Sequence, residues 1–132
     1  VAKGQDVMSW PIETIPDNDK LFMRIHENWI LQTGEPMPGA FRNQGSGMST
    51  DWNKYSTPEE ALKRARVPSK NGIIQMQVSD VRKIPGQNIQ HSPLPDNRAH
   101  TDVLGEKDRD PEVRIKFRRI YTWAIPYKAQ RK

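Results

Sequence analysis

The sequence predicts a single α+β domain built on a small, mostly antiparallel sheet, with a central helix and a C-terminal amphipathic basic helix. Three observations point there. Short apolar segments alternate with a period of two, as strands do when one face is buried. Two helix starts, at Thr57-Pro58 and Asp110-Pro111, stand among them. The connections are rich in turn residues, with eleven prolines and eight glycines in 132 residues, which suits hairpins better than βαβ crossovers. A chain of this length can bury a core without staples, and its four Trp, three Tyr and three Phe argue against full disorder.

Residues 1–19 read as an extended N-terminal arm, pinned to the body by Trp10 and Ile12. Residues 20–127 form the domain and 128–132 a basic tail. Lys20 to His26 is the first strand, with Leu21, Met23 and Ile25 on one face and Phe22, Arg24 and His26 on the other. The stretch from Pro36 to Ser49 is loop-rich, broken by the short run Gly39–Arg42. Thr57, Pro58 and Glu60 then make a capping box that opens a helix expected to run to Ala65 or Arg66, before Pro68. Gly72 to Val78 is the second strand, since Ile74, Met76 and Val78 alternate with Gln75 and Gln77.

Ser79–Arg82 fits a short helical turn, Asn88–His91 a strand, Pro93–Asn97 a turn, and Thr101–Leu104 a strand ending at Gly105. Asp110 caps the last helix, on which Val113, Phe117, Ile120, Tyr121 and Ala124 share a face. A period-two reading competes there, with Val113, Ile115 and Phe117 inward and Arg114, Lys116 and Arg118 outward. The longer helical pattern and the cap favour the helix.

Charge is distributed unevenly. The net charge is +5, yet residues 111–132 hold seven basic side chains against one acidic, leaving residues 1–110 near neutral. A concentrated basic end attracts polyanions more strongly than the same charge spread thinly. Cations near a helix C-terminus are also favoured by its dipole, so helix physics accounts for some of them. Trp123 and Tyr127 beside the tail add surfaces on which bases stack. The expectation is a small soluble binding protein in which Arg114, Arg118, Arg119, Lys128, Arg131 and Lys132 contact phosphates of nucleic acid or of a nucleic-acid-bearing complex. Docking of an acidic protein partner, as an accessory subunit, is an alternative.

The enzyme alternative rests on His26, His100 and Arg24, with Ser49 and Asp51 nearby. Histidine exchanges protons near neutral pH, and an arginine neutralises charge developing on a phosphate-bearing substrate. His91 and His100 superficially suggest tandem His-x-Ser/Thr motifs, but Pro93 and Asp102 occupy the hydroxyl positions. A metal site would draw on the three histidines with Asp80, Asp96 or Asp102. No His-x-x-x-His spacing supports it, so neither metal nor cofactor is expected. Gly45 to Thr50 lacks the lysine of a phosphate-binding loop, and Ser49 has no nucleophile-elbow context. Trp52 and Tyr55 read as cover for the edge of the core. With no cysteine, disulfides and thiol chemistry are excluded, which fits a reducing cytoplasm. No apolar run approaches the ~20 residues of a membrane span, and no signal peptide is expected at the N-terminus.

Arg24–His26, Ala40–Arg42, Gly47–Asp51, Thr57–Ala61 and Asn97–Thr101 together resemble segments of small prokaryotic proteins without an assigned activity. The resemblance spans about Leu21 to Trp123. It implies a compact single domain in which Arg24, His26, Ser49, Asp51 and His100 gather, and it carries no catalytic role or cofactor.

Overall fold

A computed structural model describes residues 10–127. Its centre is a six-stranded, wholly antiparallel sheet: β1 (Lys20–His26), β2 (Met48–Trp52), β3 (Asn71–Gln77), β4 (Asn88–His91), β5 (His100–Leu104) and β6 (Tyr121–Ile125). The spatial order is β4-β5-β2-β1-β3-β6. Three short α-helices decorate it, α1 (Pro58–Lys63), α2 (Val78–Arg82) and α3 (Pro111–Ile120). The chain is therefore α+β. Among the described residues, no helix is long and apolar enough to cross a membrane.

Side-chain alternation assigns the two faces. Leu21, Met23 and Ile25 of β1 lie level with Trp52 of β2 and with Ile74 and Met76 of β3. With Met48 and Val103 they form the main core, closed from above by Val78 and Val81 of α2, Val113 and Phe117 of α3, and Phe41. Phe41 and Phe117 stack with ring centroids 5.4 Å apart. On the opposite face Ala61 and Leu62 of α1 cover one corner, packing on Phe22 and Ile73.

Thr57 caps α1 with a reciprocal capping box, its hydroxyl accepting from the Glu60 N–H while the Glu60 carboxylate accepts from the Thr57 N–H. That bond holds the Glu60 carboxyl below its ordinary pKa. The helix stops at Lys63, earlier than its sequence pattern implies, and Arg64 follows as its C-cap.

Two elements differ from the sequence expectation more deeply. The C-terminal helix ends at Ile120, and Tyr121–Ile125, expected to extend it, is strand β6. Its aromatic and β-branched residues satisfy the free edge of β3, where Met76 pairs with Tyr121 and Gln75 with Thr122. Gly72 permits this approach, since a Cβ there would stand 2.7 Å from both the Trp123 ring and the Tyr127 nitrogen. The second difference is β2, a strand the sequence does not lead one to expect, its first residues Met48 and Ser49 lying in the loop-rich stretch.

The arm is held differently from expectation too. Ile12 is exposed and Trp10 half-exposed over Arg98, whereas Ile15 is buried in the core. The Glu13 N–H donates to Nδ1 of buried His91, whose Nε2 lies 2.7 Å from the Arg98 carbonyl. His91 is thus a structural link between arm and sheet, with both ring nitrogens occupied. Trp52 is fully in the core, edge-on to Tyr55 and His91.

Lys107 follows β5 and turns its side chain into the core, completely buried. Its ammonium donates to Asn43 Oδ1 (2.8 Å) and to the carbonyls of Val103 and Gly105 (both 2.9 Å). Gly105, at φ +127°, makes the bend that turns the chain back.

Candidate functional site: a guanidinium-lined cleft on the open sheet face

The uncovered face holds a row of polar side chains across β1, β2 and β5. Arg24 and His26 project there from β1, Ser49 and Asp51 from β2, and His100 and Asp102 from β5. The registers Phe22 with Asp51 and Asp51 with His100 place them on one side. Arg24, Ser49, Arg64, Leu94, Asp96, Asn97 and His100 line a cleft of about 370 Å³ in this face.

Asp51 organises it. The carboxylate is only 2% exposed and accepts from Arg64 Nη1 at 2.9 Å, Arg24 Nη1 at 3.5 Å and Asn97 Nδ2 at 2.8 Å. A buried carboxylate demands such partners, because its water is gone. Arg24 Nη1 also donates to the Ala61 carbonyl, and Arg64 Nη1 to the Ser56 hydroxyl. Helix α1 thus contributes twice, with a carbonyl on its inner face and with Arg64 just past its end. Asn97 is fixed in turn by accepting from the Ala99 N–H.

Each guanidinium is anchored through Nη1 alone. Every hydrogen bond that the Arg24 and Arg64 side chains make to described residues uses that nitrogen. Their Nε–Nη2 edges, the edge that grips carboxylate or phosphate in a fork, make no hydrogen bond to described residues. About a third of each side chain remains exposed (32% and 29%).

His100 sits across the cleft. Its Nδ1 lies 2.9 Å from the Ser92 carbonyl and 3.2 Å from the Ser92 hydroxyl, and its Nε2 is 3.4 Å from Ser49 Oγ. His26 shares the face but does not line the cleft, and its Nδ1 accepts from the Asn28 N–H to cap the turn Glu27–Trp29. The two histidines therefore do not line one cleft. Arg24, Ser49, Asp51 and His100 are brought together, and Arg64 and Asn97 join them unannounced by the sequence. Among the described residues, no group of three or more His, Asp or Glu side chains is placed to hold a metal ion.

The basic helix is more occupied than its sequence suggests. Arg114 donates to the Phe41 carbonyl and pairs with Asp108, and Arg118 pairs with Glu35 at 3.4 Å. Arg119 and Lys116, with Lys83 and the acidic Asp80, instead line a smaller groove together with Ile84 and Ile120. Lys128, Arg131 and Lys132 lie outside the described residues. Compared with family models, curated proteins and solved structures, the chain matches none.

Proposed function

We propose that the cleft on the open face binds the phosphate group of a small phosphate-bearing substrate, with Arg24 and Arg64 holding the anion and His100 handling the proton. The observation that carries this reading is the pair of guanidiniums anchored on one buried carboxylate, each through a single nitrogen. Asp51 fixes their positions before a ligand arrives, so little side-chain entropy is lost on binding. It cancels only part of their charge, and the free edges offer fork-shaped donors to anionic oxygens. His100 and Ser49 on the same wall supply a proton carrier and a hydroxyl within reach of a group so held.

Titration with inorganic phosphate, followed by amide chemical shifts, tests this. Shifts should centre on Arg24, Ser49, Arg64, Asn97 and His100, and Arg64→Gln should weaken binding about tenfold or more, the worth of one charged hydrogen-bonded contact. Phosphate that binds Arg64→Gln as tightly as wild type, or does not bind wild type, removes the reading.

A second reading keeps nucleic acid as partner, through the groove between α2 and α3. It is supported by the convergence of Lys83, Lys116 and Arg119 on one surface. Arg114 and Arg118, held by Glu35, Asp108 and a backbone carbonyl, contribute less to it. Single-stranded oligonucleotide affinity should then fall steeply with salt, and the double variant Lys116→Ala/Arg119→Ala should flatten that slope. An unchanged slope argues against it.

A further inference from the structure

One hydroxyl in the cleft stands in an unusual position. The Ser92 carbonyl oxygen can only accept a hydrogen bond, so the contact with His100 Nδ1 at 2.9 Å requires the proton to sit on Nδ1. In the neutral ring Nε2 is then a bare lone pair, and its neighbour at 3.4 Å is Ser49 Oγ. The Ser92 hydroxyl donates to Asp102 at 2.8 Å, and Asp102 is the register partner of Ser49 on the adjacent strand. Ring orientation and tautomer are thus set from the far side of the imidazole.

Ser49 is also distinct among the neighbouring hydroxyls. Ser92 donates to Asp102, Ser56 to the Thr57 carbonyl, Thr50 to the Thr101 carbonyl and Thr101 to the Ala99 carbonyl. Among the described residues Ser49 Oγ has the imidazole as its one side-chain partner. It lines the cleft on β2, between the strand that carries Arg24 and the strand that carries His100.

We propose that Ser49 is the nucleophile of a phosphoryl transfer in this cleft and His100 Nε2 its base, an inference that rests on the phosphate-binding reading above. As Ser49 Oγ bonds to phosphorus, its proton passes to His100 Nε2. The bond from phosphorus to the ester oxygen breaks, and that oxygen leaves as an alcohol with the proton from His100. Water then attacks the phosphoserine, giving one proton through His100 back to Ser49 Oγ and releasing inorganic phosphate. The guanidiniums neutralise the non-bridging oxygens in both steps, which is where most of the stabilisation in phosphoryl transfer is found. Ser49 lacks a nucleophile elbow because it lies within a strand, and its exposure comes from the open sheet face instead.

The test uses 4-nitrophenyl phosphate with the full chain. Wild type should release a burst of nitrophenolate matching the enzyme concentration, and acid-quenched samples should carry phosphate on Ser49 by peptide mass spectrometry. Ser49→Ala should lose both signals. His100→Gln should slow the burst by about a hundredfold or more, the usual contribution of a general base. A burst that persists in Ser49→Ala overturns the assignment, as does a wild type that binds phosphate without phosphorylating Ser49. Absence of phosphate binding itself would strike the anion cleft, and the nucleophile with it.

Discussion

Asp51→Ala is expected to destabilise the protein by about 3–5 kcal/mol and to abolish phosphate binding together. The stability loss follows from what the substitution leaves behind. Arg24, Arg64 and Asn97 would each keep a donor aimed at the empty position of a carboxylate that is itself buried. The loss of binding has a different origin, since the guanidiniums would no longer share an anchor and would pay the ordering entropy themselves. Asp51→Asn separates the two effects. It keeps an acceptor for Arg64 but removes the charge, and should give an intermediate loss of stability. Urea unfolding with phosphate titration reads both quantities. An Asp51→Ala protein within about 1 kcal/mol of wild type would deny the carboxylate its organising role.

Lys107→Met should cost about 2–4 kcal/mol, although methionine fills similar volume. Asn43 Oδ1 and the Val103 carbonyl would lose the hydrogen bonds the ammonium now gives them, while the Gly105 carbonyl would keep only its bond from Asn43 Nδ2. The pH dependence gives this residue a signature. Burial pulls its pKa from 10.5 down to about 8, against the opposing pull of Asp108 and Glu106. Below about pH 8 folded and unfolded chains both hold the proton, and the stability contribution is level. Between about 8 and 10.5 the unfolded chain still holds it while the folded chain releases it, so this group makes stability rise with pH. The ammonium's three hydrogen bonds work against release and limit the size of that rise. Unfolding at pH 7 to 10 should show the gap between wild type and Lys107→Met widening across this window. A constant gap would mean that Lys107 keeps its proton throughout.

Much of the fold was legible where burial is apolar and regular. Leu21, Met23 and Ile25 announce β1, Ile74 and Met76 announce β3, and the Thr57–Glu60 capping box announces α1 because its partners are local in sequence. Strand β2 was hidden because Thr50 and Asp51 are polar residues buried among tertiary partners, Thr101 for one and the two arginines for the other. Local pattern cannot display a partner that arrives from elsewhere in the chain. The C-terminal segment was misread for a related reason. Tyr121 and Ala124 fit a helical stripe, and only the vacant edge of β3 decides for strand.

The site divides along the same line. Arg24, Ser49, Asp51 and His100 were recognisable as chemically capable. Arg64 was not recognisable, since a cation after a helix end is what the helix dipole favours anyway. Asn97 looked like an ordinary turn residue, and its bond to Asp51 spans 46 positions. His26 lies on the same face but outside the cleft, with its Nδ1 accepting from the Asn28 N–H.

The strand order bears on how the chain finds this structure at all. Only β4 and β5 are joined by a short connection; Leu21 must meet Met76, Met76 must meet Tyr121, and Thr50 bonds a carbonyl 51 positions away. Each of these closures loses chain entropy before any neighbouring contact repays it. A sheet assembled this way belongs with slow folders, on the order of milliseconds to seconds, and its central strand β1 lacks its first neighbour until Trp52 and its second until Gln77 has been synthesised. During that interval the apolar row Leu21, Met23 and Ile25 is open to other chains, so high expression should expose this protein to aggregation during synthesis more than its folded surface would suggest.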